Sequence, residues 1–299
     1  MPVPPVTVLP VPVPPVTVPA TPPVPPVTVP ATPPVTVPLS PPSLVPTDGG
    51  AAATPNGAGY WALSPGGDLS NHGNAGNFGS ENAANLNAPI VAISATTTGN
   101  GYWLAGADGG VFSFGDARFF GSLGNQHLNG PIVAMSGTAN NGGYLLVGAD
   151  GWVFSFGDAT FEGSMAGTPL NRAITSMVPA PGGKGYWLVG ADGGVFSFGG
   201  ARFYGSLGAI DLDRHIVGIA ATPDGKGYWI VGANGAVTAF GDAKFFGSLP
   251  ASSTTRIVGI VADADVGYRL ITAQGNAIAF GTTHGTEDAT AYGSLGELS

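Results

Sequence analysis

The chain repeats itself. Gly-Tyr pairs place Tyr60, Tyr102, Tyr144, Tyr186, Tyr228 and Tyr268 at successive spacings of 42, 42, 42, 42 and 40 residues, and most begin a close copy of Gly185-Tyr-Trp-Leu-Val-Gly-Ala-Asp-Gly-Gly-Val-Phe-Ser-Phe-Gly199. A fixed period in this range marks one supersecondary unit that cannot bury its apolar face alone and must be stacked or arranged radially on its neighbours. Six such copies therefore dictate a single extended core, built between units rather than inside them.

Each unit reads as four short strands. In the fifth copy these are Ile216 to Ala221, Tyr228 to Gly232, Ala236 to Phe240 and Ala243 to Ser248, separated by Thr222-Pro-Asp-Gly-Lys-Gly, Ala233-Asn-Gly and Gly241-Asp. Asx-Gly and Gly-rich turns between β-branched and aromatic runs are hairpin chemistry, and no segment carries a helical apolar period. Four antiparallel strands in about 40 residues predict a propeller blade. The expected fold is all-β: a β-propeller of six four-stranded blades over residues 48–299, preceded by a disordered Pro-rich segment. The first strands alternate small and branched residues, as in Ile132-Val-Ala-Met-Ser-Gly and Ile216-Val-Gly-Ile-Ala-Ala, which suits crowding around an axis. The first copy has only Gly49-Gly-Ala-Ala-Ala-Thr54 for this strand, so ring closure is the weakest part of the pattern.

Residues 1–47 differ in kind. They carry no charge and contain Pro-Pro-Val-Thr-Val four times, from Pro4, Pro14, Pro25 and Pro33. Closely spaced prolines fix φ, remove amide donors and push preceding residues out of the α region, so a polyproline II stalk or linker is expected. Its threonines lie in the setting of O-glycosylated stalks. A ligand for aromatic-groove domains is the competing reading. The start lacks a basic n-region and its apolar residues are broken by proline, so for an exported protein the expectation is an upstream start or a processed chain.

Charge and composition narrow the partners. With 9 basic against 18 acidic residues the formal net charge is -9, so nucleic acid and anionic membranes are not expected partners. The absence of cysteine removes thiolate nucleophiles, Cys-type zinc sites and disulfides. No run of about 18 apolar residues is present to span a membrane as a helix.

The repeated polar residues read structurally. Asp108, Asp150 and Asp192 recur in the turn between the second and third strands, and Asp116, Asp158 and Asp242 in the next turn. Each turn offers one acid, whereas a calcium loop packs several oxygen ligands into one segment, and Asp before Gly is what a tight hairpin uses. Trp61, Trp103, Trp187 and Trp229 are expected in the core between blades, with sugar-stacking platforms as the alternative. Trp152, which replaces a turn glycine, is the aromatic expected to be exposed.

Departures from the repeat are better functional candidates, because packing does not explain them. Arg172, Arg214 and Arg256 end the connections leading into a first strand, with His127, His215, Asp211 and Asp213 in comparable places. Second-to-third turns and these connections share one end of the ring, so the group is expected at the channel mouth, able to hold a carboxylate or another small anion. Solvated loop charge is the bland alternative. No Gly-x-Ser-x-Gly elbow, His-Glu-x-x-His pair or phosphate-cradling loop occurs, and no cofactor or metal is expected. Paired carboxylates assembled from distant loops leave a hydrolase or lyase at the channel mouth open.

The unit Ile216-Val-Gly-Ile-Ala-Ala, with Tyr228-Trp-Ile-Val-Gly-Ala-Asn-Gly-Ala-Val-Thr-Ala-Phe-Gly and Gly247-Ser-Leu, resembles repeats of secreted actinobacterial proteins over residues 50–299. That resemblance implies an extracellular location and no particular activity. In layout the unit is also similar to the blade of the regulator of chromosome condensation family. Tyr-Trp stands here where that family has His, so its exchange-factor activity is not carried over. Choline- and glucan-binding hairpin repeats resemble it less, having about half the period. The expected protein is an extracellular or cell-surface monomer, a binding or structural module for a protein or cell-wall glycan, with wall-carbohydrate binding through exposed Trp and Tyr as the alternative.

Overall fold

A computed structural model describes residues 50–63, 68–81, 86–212, 214–263, 267–281 and, for backbone only, 290–291. The stalk expected over residues 1–47, Asp213 and His284 lie outside the described residues. These contain strands and turns and no helix.

The strands form six antiparallel sheets, one per repeat. Sheet 1 is β1 (Gly50–Ala53), β2 (Gly59–Leu63) and β3 (Leu69–Gly73); sheet 2 is β4 (Ile90–Ala95), β5 (Gly101–Gly106) and β6 (Val111–Gly115). Sheet 3 is β7 (Ile132–Gly137), β8 (Gly143–Gly148) and β9 (Val153–Gly157); sheet 4 is β10 (Ile174–Pro179), β11 (Gly185–Gly190) and β12 (Val195–Gly199). Sheet 5 is β13 (Ile216–Ala221), β14 (Gly227–Gly232) and β15 (Val237–Gly241). Sheet 6 holds β16 (Ile257–Asp263), β17 (Gly267–Thr272), β18 (Ala277–Gly281) and a short parallel β19 (Thr290–Ala291).

Turn chemistry sets the hairpins. Asp108 Oδ1 accepts the Gly110 amide at 2.9 Å, and Asp192 Oδ1 accepts that of Gly194 at 3.0 Å. Gly109 and Gly193 between them take φ of 81° and 78°, where a side chain is strained. At the other end of sheets 2, 3 and 5 the second acid is held by a threonine: Thr96 Oγ1 lies 2.9 Å from Asp116 Oδ1, Thr138 Oγ1 3.2 Å from Asp158 Oδ1 and Thr222 Oγ1 3.5 Å from Asp242 Oδ1. In sheet 4 both partners are missing together, as Ala180 and Gly200. The repeated acids are thus turn fasteners, as their spacing predicts.

The core lies between sheets. Side chains alternate across a strand, so adjacent Tyr and Trp of the second strand face opposite neighbours. Tyr102 packs with Trp61 and Ile93 between sheets 1 and 2, while Trp103 packs with Met135 and Tyr144 between sheets 2 and 3. Equivalent clusters join sheets 3 to 4, 4 to 5 and 5 to 6. A further cluster sets Tyr60 and Ala62 of sheet 1 against Val258, Val261 and Ile271 of sheet 6. First strands run side by side in the order β1, β4, β7, β10, β13, β16, and β16 also contacts β1. The all-alanine stretch therefore does form a strand, paired with β2 from Gly50↔Leu63 to Ala53↔Tyr60.

One expectation is corrected. The fourth segment of repeats 1 to 5, Ala243 to Ser248 in the fifth, is not a strand, and sheets 1 to 5 have three strands each. Side chains occupy the backbone groups that a ladder would use. Trp229 Nε1 donates to the Lys244 carbonyl at 2.6 Å. The Tyr268 hydroxyl accepts the Phe246 amide at 3.3 Å and donates to the Gly247 carbonyl at 2.5 Å. The same bracket recurs at Tyr102, Tyr144, Tyr186 and Tyr228, so the fourth segments of repeats 1 to 5 are held by the next sheet's Tyr, and those of repeats 1, 2, 4 and 5 also by their own Trp.

Candidate functional site

The connections leading into each first strand are seated on the preceding second-to-third turn. Leu123 N donates to Gly109 O at 2.8 Å and Ile132 N to Ala107 O at 2.9 Å, and the pattern recurs with Leu207, Ile216, Leu249 and Ile257. Turns and connections thus form one end of the sheets, as expected from alternating strand direction. The residues just before each first strand are fixed by their backbone: the carbonyls of Pro89, Pro131, Ala173, His215 and Arg256 each accept an amide from the adjoining turn.

His127, Arg172, Asp211, Arg214 and Arg256 are exposed at this end, and His215 is half-buried. Burial, followed by the charge of Arg214, lowers the His215 pKa from its ordinary value, favouring the neutral imidazole near pH 7. Trp152 is 43% exposed and lies against Phe154 with ring centroids 6.0 Å apart and planes at 16°. No hydrogen bond or ion pair joins His127, Arg172, Asp211 and Trp152 to one another among the described residues. The seven described candidates lie on the turns and connections at one end of the sheets. Asp213 lies outside the described residues.

The central space is elsewhere in detail. The first strands enclose a cavity of about 770 Å³, lined at its wide part by Ala53, Ala95, Gly137, Pro179, Ala221 and Ala262, which are the last or next-to-last residues of those strands. A narrower space of about 120 Å³ continues it past Ala92, Ala134, Ser176, Gly218 and Gly259, towards the end that bears the connections. None of the arginines or histidines singled out above lines either space. The residues expected to rim the channel are anchored outside it, because the backbone that carries them is tied to the neighbouring turn before the strand enters the wall.

The tryptophans divide as the repeat suggests. Trp61, Trp103, Trp187 and Trp229 are buried to within 2% of full exclusion, and each indole N–H is satisfied by a carbonyl fifteen residues on. A set of exposed rings goes unseen in the repeat: Phe119, Phe161, Phe203 and Phe245 are 60, 54, 55 and 60% exposed, one on each of four consecutive repeats. Arg118, Arg202 and Lys244 precede three of them and are exposed too. The signal was the aromatic pair in Arg118-Phe119-Phe120: one ring packs against Tyr144 at 5.8 Å, and its neighbour is left facing out. No group of three or more His, Cys, Asp or Glu side chains able to hold a metal ion occurs among the described residues. The sequence matches no protein-family model and no curated protein.

Proposed function

We propose that the six sheets are the blades of a propeller, and that the protein is an extracellular or cell-surface binding module that takes a protein or cell-wall partner on the connections at one end. One observation carries this reading. The repeated polar groups Asp108, Asp116, Trp103 and Tyr144 are consumed by bonds within or between repeats, while Arg172, Arg214 and Arg256, without counterparts in the earlier connections, stand exposed at one end. Exposed guanidinium groups on a rigid frame recognise carboxylates with little ordering cost. A second reading, wall-glycan binding on aromatic platforms, is favoured by the exposed rings of Phe119, Phe161, Phe203 and Phe245, although the Trp and Tyr of the motif are buried.

Co-sedimentation of the full chain with isolated cell-wall sacculi separates the two. The loop reading expects replacement of Arg172, Arg214 and Arg256 by Ala to release the protein while the four Phe→Ser changes leave it bound. The opposite pattern establishes the glycan platform. A protein that never sediments with walls, before or after these changes, removes both forms of wall binding and leaves a soluble protein partner to be sought.

A further inference from the structure

The seam between sheets 3 and 4 differs from its neighbours in the residue that fills it. At four seams a tryptophan of the second strand, Trp61, Trp103, Trp187 or Trp229, fills the gap to the next sheet. Its ring meets the next sheet's tyrosine with centroids 5.6 to 5.8 Å apart and planes inclined by 55° to 59°. Its N–H reaches the carbonyl of Gly76, Arg118, Arg202 or Lys244 at 2.6 to 2.8 Å. A small residue stands opposite; at Gly137 even a Cβ would come within 2.9 Å of Trp103 Cζ3. Ring, hydrogen bond and small wall together make an indole receptor, repeated four times and filled each time from within.

At the seam between sheets 3 and 4 the residue in this place is Leu145. The tyrosine ring and the carbonyl are kept there, while Pro179 stands where the second-to-third seam has Gly137. The Tyr186 ring is fixed, its hydroxyl accepting the Glu162 amide and donating to the Gly163 carbonyl. The Thr160 carbonyl stands at the register of Arg118, Arg202 and Lys244, and no indole donor reaches it from the described residues. Pro179, opposite, is exposed. The central cavity opens sideways here: Leu145, Thr160, Glu162, Met177 and Tyr186 all line it. The counterparts of Leu145 and Thr160 at two other seams, Trp103, Arg118, Trp187 and Arg202, do not.

We propose that this bay binds an indole-type group: a planar bicyclic aromatic ring seated against Tyr186 and Met177, with its N–H donated to the Thr160 carbonyl. Aromatic contact at the tyrosine supplies affinity and the single carbonyl supplies orientation. A free heteroaromatic molecule and the tryptophan side chain of a partner present the same chemistry. The bay lies off the wide part of the central cavity and does not involve the exposed arginines, so it stands independently of the loop reading above.

Isothermal titration of the full chain with indole, 1-methylindole and N-acetyl-tryptophanamide tests this. Indole is expected to bind saturably, and 1-methylindole about fivefold or more weaker, the effect of one lost hydrogen bond. Binding of N-acetyl-tryptophanamide as tight as indole assigns the bay to a partner's tryptophan; binding of indole alone assigns it to a small molecule. Leu145→Trp, which installs the residue the sister repeats already carry, is expected to abolish binding and to hold or raise the thermal midpoint. Leu145→Phe fills the bay by a second route if the first variant fails to fold. No saturable indole binding up to millimolar concentration, or binding unchanged in these variants, overturns the proposal; equal affinity for 1-methylindole overturns the role of Thr160.

Discussion

Replacing Tyr144 by phenylalanine removes one oxygen and leaves the ring in place, which isolates the bracket that holds the fourth segment of the second repeat. The ring keeps its contacts with Trp103, Phe120 and Phe156 at 5.5 to 5.8 Å, so little apolar burial changes. What is lost is the hydrogen bond that the Phe120 amide donates to the hydroxyl at 3.1 Å and the one the hydroxyl donates to Gly121 O at 2.5 Å, leaving both backbone groups without a partner on an adjacent strand. An unsatisfied buried group costs about 1–3 kcal/mol, and a partly buried one sits near the low end. Two of them give a destabilisation of roughly 2–4 kcal/mol. For a unit of this size each kcal/mol lowers Tm by about 2–4 °C. Urea unfolding followed by tryptophan emission measures the loss, and amide exchange at Phe120 locates it. A change below about 0.5 kcal/mol, the range of ordinary surface substitutions, would show that water replaces the hydroxyl and would refute the clamp as the reason the segment is not a strand.

Two further outcomes follow from buried polar groups. Burial raises the hydroxyl pKa of Tyr102, Tyr144, Tyr186, Tyr228 and Tyr268, despite the opposing backbone bonds. The unfolded chain then releases its tyrosine protons first, so stability is full below about pH 10 and falls as pH rises above it; tyrosinate absorbance should appear together with loss of near-ultraviolet circular dichroism, and independent titration in a folded protein would contradict this. At the seam between sheets 6 and 1, Arg269 Nη2 lies 2.7 Å from Asp263 Oδ2 with both side chains buried. Asp263→Ala is expected to cost about 3–5 kcal/mol by stranding the cation, and Asp263→Ala with Arg269→Met to recover most of it; equal losses in the two proteins would refute a pairing role.

Local pattern carried the strands and the turns, and it failed where a distant side chain decided the outcome. Ile216 to Ala221 appears as a strand with the bounds its alternation predicts, because both partners of its pairing lie within one repeat. Ala243 to Ser248 has an equally strand-like composition, but its carbonyls and amides are claimed by Trp229 and by Tyr268 of the following repeat. No window of one repeat contains that competition. Gly50–Ala53 shows the reverse: alanines with weak strand preference are ordered because β2 supplies the ladder. Strand direction alone sets the candidate arginines on the connections that adjoin the second-to-third turns. Their absence from the cavity wall depends on the bond from each adjoining turn, which only the folded chain displays.

The departures from the repeat are themselves ordered. Leu145 and Arg269 are the second-strand residues that replace Trp, and they stand at the seams between sheets 3 and 4 and between sheets 6 and 1. In the contact order β1, β4, β7, β10, β13, β16 and back to β1, these seams are three apart. Sheets 1 to 3 and sheets 4 to 6 are therefore each held by two indole-locked seams, with one altered seam on either side. Stability in a repeat array is close to a sum of unit and nearest-neighbour terms, so a seam can change without weakening those beyond it. The two changes are also unlike in chemistry. Arg269 fills its seam with a buried ion pair, whereas Leu145 leaves its seam open to the central cavity. The ion pair joins β16 to β17 inside sheet 6 and so contributes to the fold itself; Leu145 gives the fold no comparable polar contact, which makes the seam between sheets 3 and 4 the place where a departure from the repeat points to a ligand rather than to assembly of the chain.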